Sequence, residues 1–105
     1  MKLKIYTVYD QKAEAYLPPF YMQNDGMAVR ALTDSVTDSN HQFAKHSEDY
    51  TLYSLGEFDD STSVIKQFNT SPVLIQTCMA IKASLNNSRA EEFTAIHQVI
   101  SETKK

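Results

Sequence analysis

The chain has 105 residues, a formal net charge of −3 at pH 7, 42% hydrophobic residues and 22% charged residues. This length is typical of a single domain with one modest core, and the composition excludes an intrinsically disordered chain. The negative charge argues against a nucleic-acid binder that depends on a strongly basic surface.

The compartment and the redox state follow from the same composition. Cys78 is the sole cysteine, which excludes an internal disulfide and favours a reducing compartment. The N-terminal MKLKIYTVYD lacks the apolar run of a signal peptide, and no segment reaches the roughly 18 apolar residues that a transmembrane helix needs. We therefore expect a soluble protein without membrane association in a reducing compartment, which in a bacterial setting is the cytoplasm.

The first predicted elements are two strands. The segment Lys2–Tyr9 (KLKIYTVY) alternates in the manner of a strand and is rich in β-branched and aromatic residues. One of its faces carries Lys2, Lys4, Tyr6 and Val8, and the other carries Leu3, Ile5, Thr7 and Tyr9. After a turn, AYLPPFYM is extended again, and its two prolines predict an edge strand or a strand end.

A helix and two more strands complete residues 1–70. Asn24 or Asp25 can cap a helix through MAVRALTDSV, whose apolar residues have helical spacing. The segments Tyr50–Phe58 and Ser63–Phe68 predict a pair of strands joined by the turn DDST. The predicted class is therefore α+β, a small ββαββ antiparallel sheet with one packed helix.

Residues 71–105 predict a C-terminal helical hairpin in the same compact domain. Pro72 suits the first position of a helix, and Ser88 with Glu91 forms a capping box for a second helix. The first of these helices would bury a stripe at helical spacing, which consists of Leu74, Cys78, Ile81 and Leu85.

Catalytic and metal-binding patterns are weak in this chain. His41 and His46 have the spacing of a zinc pair, but Cys78 has no cysteine partner and His97 lies on a predicted helix stripe. Cys78, His46 and Asp49 can be written as a nucleophile, base and acid, but no nucleophile motif or glycine-rich phosphate loop supports an enzyme. We predict no catalytic residue, no metal and no cofactor.

Aromatic and basic residues indicate a second kind of site. Many proteins that bind single-stranded nucleic acid stack bases on aromatic side chains of an open sheet, while lysines follow the backbone. The alternative is that the strand aromatics fill the core between sheet and helix. The candidate DNA contacts are Lys2, Lys4, Tyr6, Arg30, Lys45 and Tyr53.

Several segments together resemble a known family. They are IYTVYD at residues 5–10, AYLPPF at 15–20, the A-x-R-A helix at 28–31, and K-H-x-E-D-Y-x-L followed by G-x-F-D-D within residues 41–60. Over roughly residues 1–65 the chain resembles the small nonstructural protein of gokushoviruses, which are single-stranded DNA microviruses of bacteria. Ser47 stands where the family pattern has proline.

The resemblance implies a DNA-associated role in genome replication or in the switch to single-stranded DNA synthesis for packaging. It implies no catalytic residue. Two functions stay open: a non-enzymatic protein that binds single-stranded DNA, and an adaptor that docks on a phage or host replication or assembly protein without contacting DNA. Both are compatible with a homodimer, since an edge strand and an amphipathic hairpin can each form a two-fold interface.

Overall fold

The computed structural model describes residues 1–68 and 71–85. In this part of the chain a six-stranded antiparallel sheet packs against helices, which confirms the predicted α+β class. The strands are β1 (Lys2–Asp10), β2 (Ala15–Tyr16), β3 (Phe20–Met22), β4 (Tyr50–Asp59), β5 (Ile65–Gln67) and β6 (Val73–Thr77). The helices are α1 (Asp25–Thr37) and α2 (Gln42–Lys45), with a 3₁₀ turn at Ser47–Asp49 and a helical segment at residues 78–85.

Two long strands form the centre of the sheet. β1 and β4 pair antiparallel from Lys2 opposite Asp59 to Asp10 opposite Tyr50. β2 and β3 both line the outer edge of β1, and β5 and β6 both line the outer edge of β4. The sheet is therefore at most four strands wide, because two short strands share each outer position.

Helix α1 begins where its sequence predicts. The Asn24 side chain accepts a hydrogen bond from the Met27 N–H at 2.9 Å, as an N-cap does. Ala28, Leu32 and Val36 follow at a spacing of four and are buried against the sheet.

A buried tyrosine ties α1 to β1. The Tyr6 hydroxyl donates a hydrogen bond to Asp25 Oδ1 at 2.5 Å, and its ring stacks on Phe20 with centroids 5.8 Å apart. Burial and the Asp25 carboxylate both raise the pKa of Tyr6 well above its ordinary value. Tyr6 thus stays a neutral donor that fixes the first turn of the helix.

The core lies on one side of the sheet. It joins side chains of β1 and β4 to the helices, and its buried members are Tyr6, Val8, Ala28, Leu32, Val36, Phe43, Tyr50, Leu52, Cys78 and Ile81. No helix within residues 1–68 and 71–85 is long and apolar enough to cross a membrane.

The segment after Pro72 corrects a prediction. Val73–Thr77 is strand β6 rather than the first turns of a helix, because Val73 and Leu74 pair with Ser54 and Tyr53 of β4. The helical segment starts at Cys78, and the Thr77 hydroxyl accepts a hydrogen bond from the Ala80 N–H at 3.0 Å. The predicted second helix, with Ser88 and Glu91, lies outside the described residues.

We predict that Gly56→Ala destabilises the fold by about 1–3 kcal/mol, the range typical of overpacking. A Cβ at Gly56 would lie 2.2 Å from the Lys66 carbonyl oxygen of β5, a backbone atom that cannot move without disturbing the pairing. Urea denaturation measures the change. Gly26→Ala is the matched control, because a Cβ at Gly26 would lie 3.3 Å from its nearest neighbour, the Oδ1 atom of Asn24. This substitution should be nearly neutral.

We also predict that Tyr6→Phe lowers the free energy of unfolding by about 1 kcal/mol, the typical net contribution of one hydrogen bond. The ring and its packing stay, and only the bond to Asp25 is lost. Tyr53→Phe serves as the control, because the described contacts include no hydrogen bond from the Tyr53 hydroxyl. Equal effects of the two substitutions in thermal or urea unfolding would contradict the proposed link between β1 and α1.

Candidate interaction surface

The strand register assigns every strand side chain to one of two faces, because successive side chains alternate. The helix-side face carries Tyr6, Val8 and Leu52, on which the helices pack. We call the opposite one the open face. Its side chains are Leu3, Ile5, Thr7, Tyr9, Tyr16, Tyr21, Thr51, Tyr53, Phe58, Ile65, Gln67, Leu74 and Thr77.

Charge is distributed unequally between the two faces. All charged residues of the described strands lie on the helix-side face: Lys2, Lys4, Asp10, Glu57, Asp59 and Lys66. The solvent-facing side of an antiparallel sheet is normally the polar one. Here the open face carries tyrosines, aliphatic residues, threonines and one glutamine instead.

Tyrosines form the most accessible part of the open face. We call Tyr9, Tyr16 and Tyr53 the tyrosine cluster, because their rings are in sequential contact: Tyr9 and Tyr16 at 4.8 Å and Tyr16 and Tyr53 at 6.0 Å between centroids. Tyr16 is 51% exposed, and Leu74, which pairs with Tyr53, is 56% exposed. The cluster therefore presents ring faces and edges to solvent.

A second aromatic pair lies at the other end of the open face. Tyr21 and Phe58 meet edge to face with centroids 5.8 Å apart. Ile65 of β5 pairs with Phe58 and is 65% exposed. Between this pair and the tyrosine cluster, Ile5 and Thr7 are buried. The accessible apolar atoms are thus found at both ends of the same surface.

The predicted DNA contacts do not share one surface. Tyr53 alone lies on the open face, whereas Lys2, Lys4 and Tyr6 lie on the helix-side face. The Lys2 ammonium is 3.5 Å from a Glu57 carboxylate oxygen. The Lys4 ammonium is 3.6 Å from Asp25, and Tyr6 is 0% exposed. The predicted alternation of β1 is thus confirmed, but the lysine-bearing side of β1 is the one that the helices cover.

The other two predicted cations lie on helices. Arg30 is exposed on α1, and Lys45 is exposed on α2 at the rim of a cavity of about 330 Å³. Lys82 of the helical segment 78–85 also lines this cavity and donates a hydrogen bond to the Ala44 carbonyl oxygen at 3.0 Å. Both lysines thus lie at the C-terminal end of α2, where a cation offsets the negative end of the helix dipole.

The histidine loop has a structural role. His41 Nδ1 accepts a hydrogen bond from the Phe43 N–H at 3.0 Å and so caps α2. His46, Glu48 and Asp49 place potential metal-ligand atoms within 4.8 Å of one another. His46 and Glu48 are exposed, and in the described part of the chain no hydrogen bond orients their ligand atoms. We therefore assign no metal site to this cluster.

Cys78 belongs to the core. Its side chain is 0% exposed, and burial raises the pKa of its thiol from 9.0 to about 11. A reactive cysteine needs an accessible thiolate, which this environment disfavours at neutral pH. The geometry therefore gives Cys78 no role as a nucleophile with His46 and Asp49, which lie in the exposed loop before β4.

Comparison with known proteins adds the family. A family model described as Phage ORF5 protein matches residues 3–81. The chain belongs to the Phage ORF5 protein family. The match runs from the second residue of β1 to Ile81 in the helical segment, so both faces of the sheet lie inside the family region. No curated protein and no solved structure matches this chain.

Several residues of the open face were missed by the analysis of the sequence. Tyr16 was assigned to a proline-containing edge strand, and Leu74 to a helix. The alternation of β1 did place Tyr9 opposite the lysines, which was the available signal. The sequence does not reveal which face α1 covers, because alternation defines two faces of a strand without showing which of them is covered.

The buried thiol predicts a pH dependence of stability. Because the folded-state pKa of Cys78 is raised, its contribution is fully present below pH 9 and is lost as the pH rises through about 11. Between about pH 8 and about pH 10 this loss is about 1 kcal/mol. Cys78→Ala should remove that part of the loss, as measured by urea denaturation at both pH values. An identical loss in both proteins would show that the thiol does not titrate as described.

Proposed function

We propose that this phage protein is a non-enzymatic interaction protein that docks through its open face on a phage or host protein of genome replication or assembly, in the host cytoplasm. The observation that carries this proposal is the absence of charged side chains from the open face within the described strands, combined with half-exposed tyrosines.

The distribution of charge supports a protein partner over a polyanion. Affinity for nucleic acid comes largely from lysines and arginines that neutralise phosphates. On the described strands the lysines lie on the other side of the sheet, and two of them already contact carboxylates. The centres of protein interfaces are depleted in charge and enriched in tyrosine, which is the composition of the open face.

The chemistry of the open face also defines the kind of partner. With about 3.3 Å per residue and about 4.8 Å between strands, the face from Leu3 to Tyr9 across four strands covers roughly 300 Å², a size at which an apolar patch is often functional. An uncharged surface of this kind fits a partner surface that is itself apolar and uncharged. Tyrosine hydroxyls supply hydrogen bonds at its rim.

One observation favours single-stranded DNA as the second candidate. The rings of the tyrosine cluster are adjacent and accessible, and stacking of a base on an aromatic ring contributes about 1–3 kcal/mol. Lys12, in the turn between β1 and β2, is the nearest cation along the chain to Tyr9 and Tyr16. This mode would rest on stacking, with few phosphate contacts.

Substitutions of Tyr16 separate the two functions. We expect Tyr16→Glu to abolish recovery of the protein partner from infected cells, because it places a charge in the docking surface. Tyr16→Leu should retain most of the partner, since it keeps the surface apolar. Gln42→Glu, which adds the same charge to exposed α2, is the matched control. Quantitative mass spectrometry of the captured proteins measures the result.

The same variants test DNA binding by fluorescence anisotropy of a labelled oligonucleotide at about 50 mM salt and above. Binding that is present in the wild-type protein and lost in Tyr16→Leu would indicate base stacking and favour the second candidate. No binding at low salt, together with a partner that is lost only in Tyr16→Glu, supports the adaptor. A partner that persists in Tyr16→Glu would show that the open face is not the docking surface.

A further inference from the structure

The outer edge of β6 is the least protected edge of the described sheet. β6 pairs with β4 on one side, and among the described residues no backbone hydrogen bond reaches it on its other side. Its sequence, VLIQT, has neither charge nor proline. Val73 is 40% exposed and Leu74 is 56% exposed. Such an edge is a template for pairing with another strand.

The other edge strands carry the features that discourage such pairing. β2 has two residues and is followed by Leu17 and two prolines, and β3 has three residues. β5 also has three residues, with Lys66 at its centre. Short strands, prolines and lysines are the usual means by which proteins protect a sheet edge. β6 has five residues, which is longer than the other edge strands, and it contains no lysine or proline, although Pro72 directly precedes it.

We infer that β6 pairs antiparallel with β6 of a second copy of this chain, about a two-fold axis perpendicular to the sheet. A strand without charge can pair with its own copy free of the like-charge repulsion that a β5–β5 contact would bring from Lys66. A self-complementary edge of this kind needs no other partner to satisfy its hydrogen-bonding groups.

The same axis has a consequence for the open face. A two-fold axis perpendicular to the sheet keeps both open faces on the same side, and β6 is adjacent to Tyr53 through the Leu74 pairing. The dimer would therefore join the tyrosine clusters of the two copies through Leu74 into one continuous surface of about twice the area. The dimer itself does not depend on the proposed function. Only the role of the larger surface in docking a partner rests on it.

Two neighbouring features bear on the interface. Met79 lies two residues after the end of β6 and is 54% exposed. Ile75 is the extra residue of a bulge opposite β4, since Leu52 pairs with Gln76 and Tyr53 with Leu74. A bulge increases the local twist, which by itself discourages pairing at an edge. A second copy related by a two-fold axis carries the same twist at its own bulge, so the two edges would match.

Val73→Lys tests the pairing without changing the open face, because Val73 pairs with Ser54 on the helix-side face. Val64→Lys is the matched control, since Val64 is 57% exposed and precedes β5. We expect sedimentation velocity of the wild-type protein over a concentration series to show twice the 11.9 kDa chain mass at high concentration. Val73→Lys should raise the dimer dissociation constant at least about tenfold, and Val64→Lys should leave it unchanged.

Hydrogen exchange provides a test that needs no substitution. Pairing protects the outward amides of β6, so their exchange should slow as the protein concentration rises, while the amides of β5 stay unchanged. A protein that is monomeric at all concentrations overturns the inference. A dimer that survives Val73→Lys but is lost in Tyr16→Glu also overturns it, because that dimer would use the open face.

The two proposals fail separately. Loss of the dimer in Val73→Lys with the protein partner still recovered would support the β6 interface and leave docking to the monomer. The opposite result is that the wild-type protein recovers the partner, Tyr16→Glu loses it, and the protein is a monomer throughout. This result would support the proposed function and reject the β6 dimer.

Discussion

The antiparallel pairing of β1 with β4 is the constraint on which both faces of this protein depend. It runs without interruption in β1 from Lys2 to Asp10, and one extra residue of β4, Leu55, is accommodated between Ile5 and Tyr6. Because side chains alternate along a strand, a slip by one residue would move every side chain to the other face. Tyr6 would then leave the core, and the lysines of β1 would enter the open face. The core of the helix side fixes the register, since Val8 and Leu52 pair directly and are both buried.

The charges of the sheet are stabilised by each other. In the strand register, Lys4 and Lys66 lie opposite Glu57, and Lys2 lies opposite Asp59. The ammonium groups of Lys2 and Lys4 contact Glu57 and Asp25, respectively. Cross-strand neighbours of opposite charge each contribute roughly 0.2–1 kcal/mol, so Lys2 and Lys4 have local partners before any ligand arrives. A phosphate backbone would have to compete with these carboxylates. The same pairing explains why the mildly acidic chain has no concentrated basic surface on its sheet, although its lysines alternate regularly in β1.

Much of the fold follows from local sequence, and the errors have identifiable causes. The alternation of β1, the Asn24 cap and the strand Tyr50–Phe58 are local signals, and each is present in the structure. The segment Val73–Thr77 was assigned to a helix because Leu74, Cys78, Ile81 and Leu85 have helical spacing. The pairing of β6 with β4 is a tertiary interaction that overrides this pattern, and Thr77 rather than Pro72 starts the helical segment. The choice of Tyr6 as a surface residue failed for a similar reason, since only packing decides which face a helix covers.

A sheet that presents one uncharged face to solvent carries a cost in solubility, because exposed aromatic and aliphatic side chains favour association. Replacing Tyr16 or Leu74 by a charged residue would remove much of this cost with little effect on the fold, because both side chains are more than half exposed. The stability of the fold therefore does not require these two side chains to be uncharged. The same holds for β6, because its pairing with β4 requires neither an uncharged sequence nor an apolar side chain at the exposed position of Val73. Val73 lies on the helix-side face, and Tyr16 and Leu74 lie on the open face, so exposed apolar side chains of the sheet occur on both of its faces.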